Sequence, residues 1–137
     1  MRSGELVQDA KEAMRRAYAP YSRLRVGAAV RMDDGKVFSG CNVENAAYSI
    51  AICAERTAIV KAVSAGSRSI REVAVFSTSE EPLLPCGMCL QAISEFAKSG
   101  RVRITAVGKS GRSETHTLGE IFPSGMRVHK TIRAHTG

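Results

Sequence analysis

The spacing of apolar and polar residues divides the first third of the chain into a helix followed by a hairpin. Apolar residues recur every three or four positions over residues 4–18, which predicts an amphipathic helix. Residues 24–32 alternate and are rich in valine and alanine, which predicts a strand. Asp33-Asp34-Gly35 is a turn signal, so residues 36–42 are expected to form the partner strand.

The remainder of the chain alternates between helical and strand patterns. Helices are predicted over residues 54–65 and 87–98, and short apolar strands over residues 72–77 and 102–107. Residues 114–120 are expected to form an edge strand and then a short helical segment. Because strands joined by a crossover helix run parallel, this order predicts an α/β fold with helices packed on a sheet.

Three cysteines stand at a spacing typical of one zinc site. Cys53 opens one helical pattern, and Cys86 and Cys89 open the next in a Cys-x-x-Cys motif. Helix starts carry partial positive charge, which favours the thiolate that binds metal. Structural zinc sites usually have four protein ligands, whereas catalytic sites have three and leave one position for water. The sequence therefore predicts one zinc ion per chain, held by Cys53, Cys86 and Cys89.

Glu55 lies two residues after the first of these cysteines. Zinc lowers the pKa of bound water from about 16 to about 7, so hydroxide forms at neutral pH. Hydroxide can attack C4 of an aminopyrimidine if a carboxylate carries protons to the ring and the departing amine. Cys-x-Glu followed by Pro-Cys-x-x-Cys is the all-cysteine form of the zinc deaminase signature. Glu55 is therefore the predicted proton shuttle, and Arg56 is expected to donate hydrogen bonds to the thiolates and draw charge off them.

Two other interpretations of the four cysteines remain open on the sequence. Cys41 could complete a closed structural site, or the cysteines could be scattered without a metal. A lone Cys-x-x-Cys pair could also serve redox chemistry. The position of Glu55 and the two helix starts favour the open catalytic site.

Positive charge is concentrated near the C-terminus. The chain has 137 residues and a net charge of +7, and residues 101–137 hold seven lysines or arginines against two glutamates. Phe122 is the one aromatic residue there, so a platform for stacking nucleic-acid bases is not expected. The charge is expected to lie on a solvated surface. Residues 126–137 are expected to form a partly disordered basic tail unless they dock on a neighbouring subunit.

The length and the apolar content of the chain predict one domain spanning residues 1–137. The first residues lack the apolar core of a signal peptide, and no apolar run is long enough to span a bilayer. Metal-binding thiols fit a reducing compartment, so the expected location is the cytoplasm.

Four motifs occur in one order along residues 18–123. They are Ala19-Pro20-Tyr21-Ser22 with Val26-Gly27-Ala28-Ala29, Gly40-Cys41-Asn42-Val43-Glu44-Asn45-Ala46-Ala47-Tyr48, Cys53-Ala54-Glu55-Arg56 and Pro85-Cys86-Gly87-Met88-Cys89. Together they resemble the short, homotetrameric cytidine deaminases of the zinc nucleoside deaminase family. The resemblance implies a three-layer α/β/α fold with a mixed sheet of about five strands. It also implies hydrolysis of cytidine or deoxycytidine to uridine or deoxyuridine plus ammonia, in pyrimidine salvage, with sites shared between the subunits of a homotetramer.

The resemblance also implies roles for individual residues. Asn42 and Glu44 match the pair that hydrogen-bonds the ribose hydroxyl, which an amide and a carboxylate can satisfy as donor and acceptor. The backbone of Ala54 matches a contact to the base, and Tyr48 matches a residue that reaches the site of a neighbouring subunit.

Three positions depart from the family pattern. Leu24 stands where a phenylalanine usually packs on the pyrimidine, and Met126 stands where an aromatic residue from another subunit usually covers the base. Leu90 replaces the arginine that commonly follows the last cysteine. Leucine cannot stack on a ring and methionine is flexible, so a weaker or broader base pocket is expected.

Two further functions compete with that of a free-nucleoside deaminase. A deaminase of a modified aminopyrimidine, such as a blasticidin-type antibiotic or a substituted cytidine, would fit the ending Pro123-Ser124-Gly125, but Glu44 indicates ribose recognition. An inactive zinc module or a polynucleotide-binding protein would fit the basic C-terminal part. Glu55 beside an open zinc site argues against an inactive zinc module. The sequence has no insertion that would form a channel for a single strand, which argues against a polynucleotide-binding protein.

Overall fold

The computed structural model of the chain describes residues 3–125, and Met126 with the rest of the expected basic tail lies outside them. In this range the elements are α1 Ser3–Met14, β1 Val26–Met32, β2 Val37–Cys41, a 3₁₀ turn Tyr48–Ile50, α2 Ala54–Ser64, β3 Ile70–Ser77, α3 Gly87–Phe96, β4 Arg103–Val107, β5 Ser113–Thr117 and α4 Leu118–Ile121. No helix among these residues has the length and apolar character needed to cross a membrane.

The five strands form one mixed sheet in the order β2-β1-β3-β4-β5. Strand β1 is antiparallel to both β2 and β3, β3 and β4 are parallel, and β5 is antiparallel to β4. Parallel pairing with the preceding strand was expected after both crossover helices. It occurs between β3 and β4, but β3 does not pair with β2. Helix α2 instead carries the chain across β1 to its other side, so β3 pairs with β1 in the opposite direction.

Helices cover the sheet on both faces because successive strand residues point to opposite sides. On one face, Leu6 and Ala10 of α1 pack against Ala29 of β1. On the other face, Ala28 and Val30 of the same strand join the larger core, which includes residues of α2, α3 and α4: Ala54, Ala58, Ile59, Ala62, Leu90, Ile93 and Leu118. The structure confirms the expected three-layer α/β/α fold.

Gly40 of β2 allows helix α2 to lie directly against the sheet. A Cβ atom at this position would lie 2.7 Å from the backbone nitrogen of Ala58 and 2.7 Å from Cβ of Thr57. Non-bonded carbon atoms prefer a separation of about 3.5–4.0 Å, so any side chain here would push the helix away. Thr57 Oγ1 also donates to the Cys41 carbonyl oxygen at 3.0 Å. These contacts fix the start of α2 beside the end of β2.

One end of the sheet collects the segments that form the site. The pairing of Val26 with Ser77 and of Gly27 with Cys41 places the start of β1 beside the ends of β2 and β3. Because β4 is parallel to β3, it also ends there, and the connection to β5 follows. The β1–β2 turn around Gly35 lies at the opposite end of the sheet.

Long-range hydrogen bonds set two element ends that differ from the predicted ones. Helix α1 ends at residue 14 and not at 18, because Tyr18 pairs with the segment after β2. Its N–H donates to the Asn42 carbonyl at 3.0 Å, and its carbonyl accepts from Glu44 N–H at 2.8 Å. Strand β1 starts at Val26 and not at Leu24, because the Asn42 side chain is hydrogen-bonded to the Val26 N–H and to the Leu24 carbonyl.

Candidate active site

Three cysteine sulfurs meet where the starts of α2 and α3 converge. Cys53 is the residue before α2, Cys86 is the residue before α3, and Cys89 lies in the first turn of α3. The Cys53 carbonyl accepts from Thr57 N–H at 3.0 Å, and the Cys86 carbonyl accepts from Leu90 N–H at 2.8 Å. Each helix therefore begins at its cysteine. The three sulfur atoms lie within 4.8 Å of one another.

The sulfur cluster fits a zinc ion. Zinc bound tetrahedrally by thiolates at about 2.3 Å separates two sulfurs by about 3.8 Å. The sulfurs of Cys86 and Cys89 are 3.7 Å apart. Cys41 lies at the end of β2, outside the cluster that the described residues form. Three thiols and not four are grouped, which is the ligand number of a catalytic zinc site.

Hydrogen bonds favour the thiolate form of Cys53. The Cys89 thiol donates to it and the Arg56 guanidinium adds a second hydrogen bond, which lowers the pKa of Cys53 to about 5 although burial opposes the shift. Arg56 Nη2 donates to the Cys53 sulfur at 3.5 Å. The pKa of Cys89 is raised because its proton is held by Cys53 and because burial disfavours its charge. The structure thus places Arg56 beside the Cys53 thiol.

Glu55 lies next to the sulfur cluster in a buried position, with 6% of the residue exposed. Burial raises the pKa of Glu55 to about 7, and the neighbouring Cys53 thiolate adds to the shift. A carboxyl group with this pKa can both accept and release a proton near neutral pH. Glu55 and Ala54 line the same cavity as the three cysteines, which has a volume of about 230 Å³.

The apolar walls of this cavity are aliphatic. Leu24, Val26, Leu83 and Leu84 line it, and no aromatic side chain of residues 3–125 does. The structure thus places Leu24 in the wall of the cavity. Leu83 and Leu84 were missed. Their signal in the sequence is an apolar pair placed directly before the second cysteine motif, in a loop otherwise made of polar residues and prolines.

Asn42 reaches the cavity while its side chain bonds the backbone that enters β1. Its Oδ1 accepts from Val26 N–H at 2.8 Å, and its Nδ2 donates to the Leu24 carbonyl at 2.8 Å. The amide thereby replaces a missing pair of sheet hydrogen bonds and fixes Leu24 in the cavity wall.

The Glu44 side chain binds Tyr21 and Ser22, which precede Leu24 in the segment that enters β1. Its Oε1 accepts from Tyr21 N–H at 2.9 Å and from Ser22 N–H at 3.1 Å, and its Oε2 accepts from the Ser22 hydroxyl. The hydrogen bond from the Ser22 hydroxyl, together with those from the backbone, holds the pKa of Glu44 below its usual value. Ser22 and Glu44 both line the cavity.

Tyr48 lies outside the cavity, on the 3₁₀ turn, and is 85% exposed. It lines a neighbouring groove together with Glu44. Several other apolar side chains are exposed on α2, α3 and the 3₁₀ turn: Ile50, Val60 and Met88. Leu90 is buried in the core beneath α3, and Met126, the other expected contact from a neighbouring subunit, lies outside the described residues.

Similar proteins identify the family. The pattern described as "Cytidine and deoxycytidylate deaminase zinc-binding region" matches residues 2–106 of the chain. The chain belongs to this deaminase family. The deaminase is 44% identical over 119 residues to the cytidine deaminase of Sporosarcina psychrophila, covering 87% of each chain. A 1.6 Å crystal structure of cytidine deaminase from Burkholderia pseudomallei matches it with a TM-score of 0.86 and 40% identity, covering 92% of this chain and 100% of that one. Blasticidin-S deaminase of Bacillus cereus is 31% identical over 127 residues, covering 87% of this chain and 88% of its own.

Membership in the family confirms three expectations from the sequence: the resemblance, the zinc cofactor and a zinc-dependent hydrolytic enzyme. The cofactor of the deaminase is zinc, and Cys53, Cys86 and Cys89 form a cluster that could hold it.

Proposed function

We propose that this deaminase hydrolyses cytidine and deoxycytidine to uridine and deoxyuridine with release of ammonia. The observation that carries the proposal is the placement of a buried carboxyl, Glu55, in one cavity with the three cysteine sulfurs. Polar side chains suited to a sugar line the same cavity: Ser22, Asn42 and Glu44. The cytidine deaminases that resemble the chain over most of its length support the choice of base.

Glu55 moves the protons of the reaction. Zinc, when held by the three cysteines, supplies Lewis-acid activation of water. The Glu55 carboxyl takes up the first proton that water loses and delivers it to ring nitrogen N3. It delivers the second proton to the amine, so that ammonia leaves C4 and a carbonyl oxygen remains there. Because Glu55 is almost fully buried, these transfers occur away from bulk solvent.

Asn42, Glu44 and Ala54 are assigned to substrate binding. Glu44 accepts three hydrogen bonds from Tyr21 and Ser22, and a carboxylate offers about four acceptor sites, so one remains for a sugar hydroxyl. Ala54 is the first residue of α2, and N–H groups in the first turn of a helix have no partner within it. Its N–H can therefore donate to the carbonyl oxygen of the base.

We assign to the base pocket a broader tolerance for substituted cytosines than a pocket with an aromatic wall would have. Leu24 lines the cavity with other aliphatic side chains, which can shift rotamers to accommodate a substituent on the ring. Comparison of cytidine with 5- and N4-substituted cytidines tests this assignment. Turnover of the substituted substrates within about tenfold of cytidine is expected, and strict preference for cytidine would contradict it.

A homotetramer with sites shared between subunits is the proposed assembly. Tyr48 and Met88 line a groove beside Cys53, and Ile50 lies on the same 3₁₀ turn as Tyr48. All three side chains are exposed, and exposed apolar groups favour burial against another subunit. Light scattering on the purified protein gives the oligomeric state. If Tyr48 acts in the site of a neighbouring subunit, hybrid tetramers of Tyr48→Ala and Glu55→Gln subunits contain some sites with both native residues. Mixing the two inactive variants is then expected to restore turnover, and the absence of recovery would contradict the shared site.

We further propose that residues 1–137 act as one domain in the cytoplasm, in pyrimidine salvage. Three metal-binding thiols persist best in a reducing compartment. Nucleic acid is not a proposed partner, since the cavity accommodates a nucleoside and no stacking aromatics line it in the described part of the chain.

The test is turnover of cytidine and deoxycytidine by the zinc-loaded protein, followed as the loss of cytosine absorbance, with zinc measured on the same sample. Turnover with about one zinc per chain, lost in Glu55→Gln while zinc is retained, supports the proposal. Full zinc without turnover of either nucleoside contradicts it. That result would favour a modified aminopyrimidine, the second candidate, which the aliphatic cavity and the similarity to blasticidin-S deaminase support.

A further inference from the structure

The turn between β4 and β5, residues 108–112, contacts the loop that leads to the metal ligand Cys86. This metal-binding loop, residues 78–86, starts after β3 and ends where α3 begins. Its last part contributes Leu83, Leu84 and Cys86 to the catalytic cavity. The turn itself adds no side chain to the cavity as residues 3–125 define it.

Three consecutive residues of the loop, 79–81, are each bound by the turn. Lys109 N–H donates to the Ser79 carbonyl at 2.7 Å, and the Ser110 hydroxyl donates to the Glu80 carbonyl at 2.9 Å. An ion pair at the surface joins the side chains of residues 81 and 112. The first half of the loop is therefore attached to β4 and β5 as well as to the strand it leaves.

Gly108 allows the backbones of the turn and the loop to approach this closely. A Cβ atom here would lie 2.9 Å from the carbonyl carbon of Glu81 and nearer still to the carbonyl oxygen of Glu80. Both are backbone atoms, so the loop itself would have to move. The turn is closed by hydrogen bonds of 2.9 Å from Gly108 N–H to the Arg112 carbonyl and 3.0 Å from Gly111 N–H to the Gly108 carbonyl. It therefore provides a fixed support.

The segment that joins residues 79–81, which the turn binds, to the metal ligand Cys86 is short and stiff. Residues 82–85 connect Glu81 to Cys86, and the first and last of them are Pro82 and Pro85. Proline fixes its own φ and restricts the residue before it, so a displacement at Glu81 passes to Cys86 with little damping. Leu83 and Leu84 lie between the two prolines and move with them.

We propose that the β4–β5 turn is a positioning element of the catalytic site, which sets the places of Leu83, Leu84 and Cys86 by holding residues 79–81. The activity readout of this inference rests on the proposed function, whereas its zinc readout does not. The turn acts through the loop and contacts neither substrate nor metal.

The main test compares Gly108→Ala with Gly35→Ala in the zinc-loaded protein. Gly35 lies in the β1–β2 turn at the opposite end of the sheet, with φ of 87°. A Cβ there would meet no atom of the described residues within 4 Å, so alanine costs stability through backbone strain. We expect Gly108→Ala to raise KM for cytidine about tenfold and to release zinc to a chelator about tenfold faster. Gly35→Ala is expected to leave both values unchanged. Equal behaviour of the two variants at equal loss of melting temperature would overturn the proposal.

A second pair keeps the proposal testable if Gly108→Ala does not fold. Ser110→Ala removes the hydroxyl that donates to Glu80, whereas Ser110→Thr retains it. The loss of one neutral hydrogen bond corresponds to a change of about two- to tenfold. KM and the zinc release rate are expected to rise by this factor in Ser110→Ala and to return towards wild type in Ser110→Thr. Wild-type values in Ser110→Ala would contradict the inference.

Failure of the proposed function and failure of this inference give different results. If the wild-type protein holds zinc but turns over neither nucleoside, the proposed function is wrong. The zinc release rates, together with hydrogen exchange at the amides of Leu83 and Leu84, then decide the inference. Faster zinc release and faster exchange in Gly108→Ala than in Gly35→Ala support it, and equal rates overturn it.

Discussion

Gly40→Ala is the substitution that most directly tests how α2 carries the site. A Cβ atom at this position would lie 2.7 Å from Ala58 N and from Thr57 Cβ, about 1 Å inside the preferred contact distance. The nearest atoms include the backbone of α2, so rotamer changes cannot remove the overlap and the helix must shift. Overpacking of this kind costs about 1–3 kcal/mol. In a domain of this size that corresponds to a fall in melting temperature of roughly 3–12 °C.

The same shift moves Cys53 and Glu55, which lie at the start of α2. Turnover of cytidine is therefore expected to fall by about tenfold or more, because catalytic groups tolerate only displacements well below 1 Å. Thermal unfolding followed by circular dichroism and steady-state kinetics on the same zinc-loaded sample give both values. Gly4→Ala is the matched control, since a Cβ there meets no atom of residues 3–125 within 4 Å and alanine favours the helix. A Gly40→Ala protein with wild-type melting temperature and turnover would refute the described packing of α2 on β2.

Other substitutions separate the roles of the residues around the cavity. Glu55→Gln is expected to retain zinc and to lose turnover by roughly 10²–10⁴-fold, measured by zinc analysis and the absorbance assay; substantial residual activity would remove Glu55 as the proton shuttle. Arg56→Ala is expected to keep zinc bound but to lower turnover about tenfold, because the Cys53 thiolate loses a donor; unchanged turnover at full zinc occupancy would contradict this. Asn42→Ala removes hydrogen bonds to Val26 and Leu24, so KM is expected to rise roughly tenfold with a smaller effect on kcat. A fall in kcat alone would disagree with that role.

The grouping of the three cysteines was predictable because it is encoded over short distances in the sequence. Cys86 and Cys89 are three residues apart, and Cys53 precedes a helix that the apolar pattern already indicates. Backbone hydrogen bonding at two helix starts then determines where the sulfurs lie. What the sequence left open was whether Cys41 joins them, and the course of β2 places it outside the cluster.

Features that depend on pairing between distant segments were not predictable in the same way. The end of α1 depends on hydrogen bonds between Tyr18 and the segment after β2, which outweigh the helical pattern of residues 15–18. The place of β3 beside β1 depends on how α2 crosses the sheet, and the apolar pattern of β3 carries no information about its neighbour. Leu83 and Leu84 line the cavity at the end of a loop whose residues 79 and 80 accept hydrogen bonds from the distant turn after β4.

The hydrogen bonds that Asn42 and Glu44 make to residues 21–26 bear on how the enzyme loses activity on heating. This segment carries Ser22 and Leu24 to the cavity, yet residues 21–23 are exposed, and the Glu44 side chain, not sheet pairing, holds Tyr21 and Ser22. Segments held in this way open at a lower free energy than the whole fold. Warming is therefore expected to raise KM while the circular dichroism spectrum is still native. The first product of heating is then expected to be a folded zinc protein that binds nucleoside poorly, and saturating substrate is expected to delay its formation by mass action.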